Sequence, residues 1–213
     1  MKTNPPPYDP PYDSPLEDDF AWSLSKYIDR DVALFKQFDT PTICGDFRID
    51  FVAVAATGYK VAYECDGADF HEDSRDEWRD AMILGAGHVD SIVRLRGQDI
   101  HHRTNDALLV ASRWDPQIYS DRAKHILNRL ASQRSREFDA SDDRCTAIIS
   151  YPDESKNPAS PLYIRLFRRS RVNPRGVIRQ FWQAAFRFAQ SVGGGNLDDV
   201  IQQYRNRKPE VAI

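Results

Sequence analysis

Asp50, Glu64 and Asp66 fall close together in the stretch FRIDFVAVAATGYKVAYECDGADFH, Phe47–His71, which ends on a histidine. Carboxylates gathered at one strand end repel one another, and a divalent cation is the usual means of neutralising them. Mg²⁺ or Mn²⁺ takes a few carboxylate oxygens, keeps water, and leaves positions open for a substrate phosphate. Such an ion polarises a phosphoryl oxygen and acidifies bound water, so hydrolysis of a phosphodiester is the chemistry this pattern suits. Asp50, Glu64 and Asp66 are the candidate ligands. His71, with an ordinary pKa near neutrality, is a candidate for completing the shell or moving a proton. Each residue alone has a plainer account: a strand aspartate at an edge, an Asp66-Gly67 turn, a histidine at a helix start. The combination carries the metal reading.

These side chains meet only if particular elements hold them. Phe47, Ile49, Phe51 and Ala53 alternate with Arg48, Asp50, Val52 and Val54, so a strand is expected from Asp46 to about Ala56. Thr57-Gly58 marks a turn, and a second strand follows over Tyr59–Cys65. If Thr57–Tyr59 form a three-residue loop, Ala56 pairs with Lys60 and Asp50 lies opposite Asp66, with Glu64 diagonal to it. A two-residue turn would send Asp50 to the other face. The metal reading therefore requires an odd-length loop or a bulge.

Upstream, Ser14-Pro15-Leu16-Glu17 reads as a capping box with proline at the first helical position. A helix over 15–30 then turns Leu16, Phe20, Leu24 and Ile28 to a core. Helix capping by itself accounts for Glu17. Downstream, helices are expected over 71–87, 105–114 and 121–136, with a strand over 89–95. The order α-β-β-α-β-α describes an α/β core on a mixed sheet. Residues 1–13 are proline-rich and read as an extended, disordered tail, residues 14–136 as the core, and the polar 137–144 as a linker. A C-terminal α+β extension over 145–213 follows, with strands over 145–150 and 162–168 and helices over 173–190 and 196–206. It either forms a subdomain of its own or continues the first core.

Gly45–Asp106 resembles the very-short-patch-repair (Vsr-type) endonuclease branch of the restriction-endonuclease-like superfamily. The resemblance lies in FRIDF, in VAYECDGADFH and in RDEWRDAMILGAGHVDSIVRLRGQDI, with SPLEDDF similar to the helix before the core, so it covers about residues 14–112. It implies a restriction-endonuclease-like fold and Mg²⁺- or Mn²⁺-dependent cleavage of DNA. It also implies Asp50 and Glu64 as metal ligands with Asp66 following in an ExD pattern, His71 assisting catalysis, and Glu17 as an acidic residue of the site. Arg79 and Asp80 are then either an arginine–carboxylate support or, for Asp80 in particular, a solvated helix face. The lysine usual in the superfamily two residues after the second acid is replaced here by Asp66. That departure leaves room for a nuclease fold that binds nucleic acid or a protein without cutting.

The net charge is −3, so nucleic-acid affinity must come from local patches. Arg94 and Arg96 are candidates for a phosphate path beside the acids. Arg165, Arg168 and Arg169, interleaved with Tyr163 and Phe167, suit phosphate contacts and base stacking as well as they suit a plain solvated strand end. The three scattered cysteines carry no finger spacing and point to reduced thiols in a cytoplasmic protein. No apolar run approaches the ~20 residues of a membrane helix. DNA is the partner the resemblance implies, a membrane is not, and the C-terminal extension is a candidate surface for a protein partner.

Overall fold

A computed structural model describes residues 8–67, 73–138, 146–149, 162–168 and 181–207. His71 and Arg169 lie outside these described residues, as does most of 137–144. The chain runs α1 (Pro15–Ser25), β1 (Ala33–Thr42), β2 (Gly45–Val54), β3 (Lys60–Asp66), α2 (Asp73–Ala86), β4 (Ser91–Arg96) and α3 (Gly97–Trp114). It continues α4 (Asp121–Leu130), α5 (Gln133–Glu137), β5 (Thr146–Ile149), β6 (Leu162–Arg168), α6 (Phe181–Ser191) and α7 (Leu197–Arg207). The strands form one six-stranded mixed sheet in the order β1-β2-β3-β4-β6-β5. β1, β2 and β3 are an antiparallel meander, β3 and β4 are parallel, and β6 is antiparallel to both β4 and β5.

The α/β character and the mixed sheet agree with the sequence pattern, but β1 is an addition to it. The segment ALFKQFDTPT has no sustained alternation and contains Asp39 and Pro41, both unfavourable in strands. It pairs with β2 along its length, so tertiary pairing overrides local preference. Of the two placements left open for the C-terminal part, the described strands take the second: they extend the core sheet beyond β4.

The sheet is covered on both faces. α1, α3 and α4 pack on one side through Phe20, Leu24, Leu108 and Leu127 against Phe51, Tyr63, Val93 and Ile164. On the other side, Ile83 and Leu84 of α2 meet Val52, Ala62 and Ile92. α6 and α7 then cover the outer side of α2 around Trp78, Met82, Ala185 and Val200. α1 starts on the anticipated cap: Ser14 Oγ accepts from the Glu17 N–H, and proline opens the helix. It ends at Ser25, five residues short of the expected 30, yet Ile28 still reaches the core and bridges to Tyr119. The stretch 121–136 is two helices, because Ser132 caps a new one after Ala131 leaves helical geometry. Residues 8–13, expected as a free tail, are folded down: Tyr12 packs 5.5 Å from Phe51, and Asp13 pairs with Arg48 at 2.7 Å.

Close approach of α6 to α2 depends on Gly85, where an added Cβ would overlap the Phe186 ring. Gly85→Ala should therefore cost about 1–3 kcal/mol by overpacking. Urea unfolding followed by tryptophan fluorescence reads this, and a parent-like midpoint would show that the α2–α6 contact is looser than described.

Candidate functional site

The β2–β3 hairpin sets the position of the acids. Its loop is Ala56-Thr57-Gly58, closed by Ala55 N–H donating to the Tyr59 carbonyl at 2.9 Å. Gly58 has φ +85, the left-handed residue that a three-residue hairpin loop calls for. The loop is odd in length, but Val54, not Ala56, pairs with Lys60. This two-residue offset moves the partner of Asp50 from Asp66 to Glu64, one step beyond the last pair, Phe51–Tyr63.

Asp50 also breaks the alternation of its strand. Phe51 and Ala53 face the α1/α3 layer, whereas Phe47 and Ile49, of the same parity, pack on the α2 side. The inversion falls at Asp50 and turns its side chain into the fork where β2 and β3 separate. There the Cys65 N–H donates to Asp50 Oδ2 at 2.8 Å. From one layer Glu17 approaches, buried at 8% exposure, its Oε1 accepting from Ser14 Oγ at 2.9 Å and its Oε2 from Gln37 Nε2 at 2.7 Å. From the other layer comes Arg79, whose Nη2 donates to the Arg48 carbonyl at 2.6 Å and lies 2.9 Å from Glu64 Oε1. That Glu64 oxygen is buried and has no hydrogen-bond partner of good geometry.

Electrostatics follow from this crowding. Burial pushes the Asp50 carboxyl up to about 6; the Cys65 N–H opposes the rise, Glu17 and Asp66 add to it, and Arg79 counters. Burial likewise pushes Glu64 up to about 8, against the pull of Arg79 and Arg94 and with the push of Asp50 and Asp80. Both acids are thus held where negative charge is unfavourable. An acid with a folded-state pKa above its unfolded value binds its proton more tightly when folded. Its contribution to stability is complete below the unfolded pKa and is lost as pH rises through the folded one. Unfolding free energy measured in EDTA should accordingly fall between about pH 4 and pH 8, with Asp50 alone accounting for ~3 kcal/mol. If the two acids hold Mg²⁺ or Mn²⁺, adding either ion should restore stability at pH 8. A stability that is flat or rising across that window would contradict the described burial of the two acids.

Asp66 has a different environment. Arg94 Nη1 donates to Asp66 Oδ1 at 2.7 Å, and Arg94 Nε and Nη2 donate to the two oxygens of Asp80 at 2.7 and 2.8 Å. Arg94 is 3% exposed and Asp80 0%. Two sequence readings change as a result. Arg94 is an internal clamp joining β3, β4 and α2 and cannot line a surface phosphate path. Asp80 is no solvated helix residue: it precedes Ile83 and Leu84 by three and four positions and so shares their sheet-facing side. That spacing was the available signal for it. Arg79 pairs with Glu64 at 2.9 Å and not with Asp80, which belongs to Arg94. Arg96 sits at the end of β4, its Nε donating to Asp99 Oδ2 at 2.8 Å, and keeps about a third of its side chain open, at 32%. Arg165 and Arg168 occupy β6, with Arg165 in register beside Arg94.

Among the described residues, no three His, Cys, Asp or Glu side chains form a ready-made metal cage. The residues present nevertheless fit a hard cation of the magnesium type. Such an ion needs only one or two carboxylates with water and substrate oxygens, and Asp50 and Glu64 supply these, Glu64 through a buried Oε1 that lies beside Arg79 but accepts no aligned hydrogen bond. Among the described residues, no helix is long and apolar enough to cross a membrane. Compared with protein-family models, curated proteins and solved structures, the chain matches none.

Proposed function

We propose that this protein is a metal-dependent endonuclease that hydrolyses DNA phosphodiester bonds on a restriction-endonuclease-like core. The observation that carries the reading is the β2–β3 fork, where the desolvated Asp50 and Glu64 meet with Glu17 behind them. Asp50 and Glu64 would hold Mg²⁺ or Mn²⁺, which when bound supplies Lewis-acid stabilisation of a phosphoryl oxygen and acidifies water. The Cys65 N–H orients Asp50, and Arg79 holds a fixed positive charge beside Glu64, anchored by the Arg48 carbonyl. With Asp66 engaged by Arg94, its role is to fix the end of β3. His71 remains the candidate for proton transfer, and Arg96, Arg165, Arg168 and Arg169 the candidates for phosphate contact. Cleavage of plasmid DNA, single-stranded DNA and RNA, each with Mg²⁺ and with EDTA, tests the proposal. Mg²⁺-dependent nicking of DNA is expected, and no cleavage of any of the three sinks it.

A second reading draws on the guanidinium groups. Arg79 and Arg94 already neutralise Glu64 and Asp66, and position 66 lacks a lysine. This favours a nuclease fold retained as a nucleic-acid-binding or interaction module. Calorimetric titration with Mn²⁺ separates the two, because the module reading predicts no site-specific ion uptake.

A further inference from the structure

Gln37 is a non-glycine residue with positive φ, at +49. Such geometry is uncommon for a glutamine and is strained, so it persists only where the surroundings impose it. It lies on β1 directly across from Asp50, at the one step the β1–β2 register passes over between Lys36–Phe51 and Phe38–Ile49. Alternation inverts here too. Lys36 lies over the Tyr12 ring on the α1 side, whereas Phe38 packs on the α2 side. Both strands therefore switch faces at one cross-strand position, and each sends an extra side chain out of pattern. On β2 that side chain is Asp50, turned into the fork. On β1 it is Gln37, turned towards α1, where Nε2 donates to Glu17 Oε2 at 2.7 Å.

With Ser14 Oγ on the other oxygen, Gln37 leaves the Glu17 carboxylate held at both ends and next to Asp50. Helix capping explains the Ser14 contact but not a second donor delivered from a strained strand residue.

We infer that Gln37 is a positioning residue: its left-handed backbone aims the amide that fixes Glu17 against the metal-binding pair. This rests on the proposed function. Partners that orient metal-ligating carboxylates are typically worth 10–100-fold in metal affinity or activity, and a partner of the neighbouring Glu17 should fall at the low end of that range. Glycine adopts φ +49 freely and carries no amide side chain, so Gln37→Gly separates strain from function. In EDTA its melting temperature should equal or exceed the parent's, while calorimetric Mn²⁺ affinity of the full chain falls about tenfold or more. Gln37→Asn, whose shorter arm accepts the left-handed conformation but cannot reach Glu17, should show the same loss. If Gln37 acts through Glu17, adding Gln37→Gly to Glu17→Ala should change Mn²⁺ affinity less than about twofold.

Parent-like Mn²⁺ binding by Gln37→Gly and Gln37→Asn overturns the assignment, as does a full Gln37→Gly effect in the Glu17→Ala background. Asp50→Ala is the control. If it takes up Mn²⁺ as the parent does, the proposed function fails and this inference with it. If it loses the site while the Gln37 variants keep theirs, only the inference fails.

Discussion

Asp50→Ala should abolish Mg²⁺-dependent DNA cleavage, by about a thousandfold or more, while leaving the protein as stable as the parent at pH 8. The loss follows from removing one of two carboxylates that would anchor the ion, whose charge stabilisation is worth several kcal/mol in such reactions. Stability should survive because the ionised Asp50 is a burden on the fold: burial raises its pKa to about 6, and at pH 8 its charge faces Glu17 and Asp66. The alanine leaves one Cys65 N–H without its acceptor, an opposing cost of about 1–3 kcal/mol. Asp50→Asn keeps an acceptor for that N–H without the charge and should be more stable than the alanine. Parallel assays of plasmid nicking and of urea unfolding read both halves. A variant that cuts like the parent rules out Asp50 as a ligand, and one that cannot fold rules out the electrostatic account.

Arg94→Ala should have the largest effect on stability. Arg94 bonds to Asp80 through two nitrogens and to Asp66 through the third, all three side chains being buried or nearly so. Removing the cation strands two acids, a change that typically costs about 3–5 kcal/mol. In a domain of this size that lowers the melting temperature by about 10 °C. Lysine should not rescue it, since one ammonium cannot reproduce the fork of donors. If Arg94 were a phosphate contact, its removal would instead weaken DNA binding and lower its salt dependence, with little change in melting. A melting temperature within a few degrees of the parent would refute the clamp.

What the sequence disclosed and what it withheld divide along physical lines. Local signals carried well: the Ser14-Pro15-Glu17 cap and the two strands on either side of Thr57-Gly58 lie where short-range chemistry puts them. Long-range information did not carry. β1 is invisible because its own alternation is broken at Gln37, and the break makes sense only beside Asp50. The hairpin register missed by two residues, since Thr57-Gly58 does not reveal whether the loop closes at Ala55 or Ala56. Arg94 and Asp80 read as surface charges because each, taken singly, is a residue proteins keep in water. Only their mutual contact across β4 and α2 permits burial. α3 begins eight residues before the expected 105, because the polar GQDIHHRT hides a helical turn that kinks at Arg103. The acids themselves were legible, but the in-plane turn of Asp50 was not.

The placement of β6 bears on how the protein can be dissected. β6 hydrogen-bonds along the outer side of β4, and α6 covers Trp78 and Met82 of α2. A chain cut near residue 140 would present β4 as a bare strand edge with an uncovered greasy helix beside it. Both invite intermolecular pairing and aggregation. Poor solubility of such a fragment would therefore say nothing about where its chemistry resides, and point substitutions in the intact chain are the sounder scalpel.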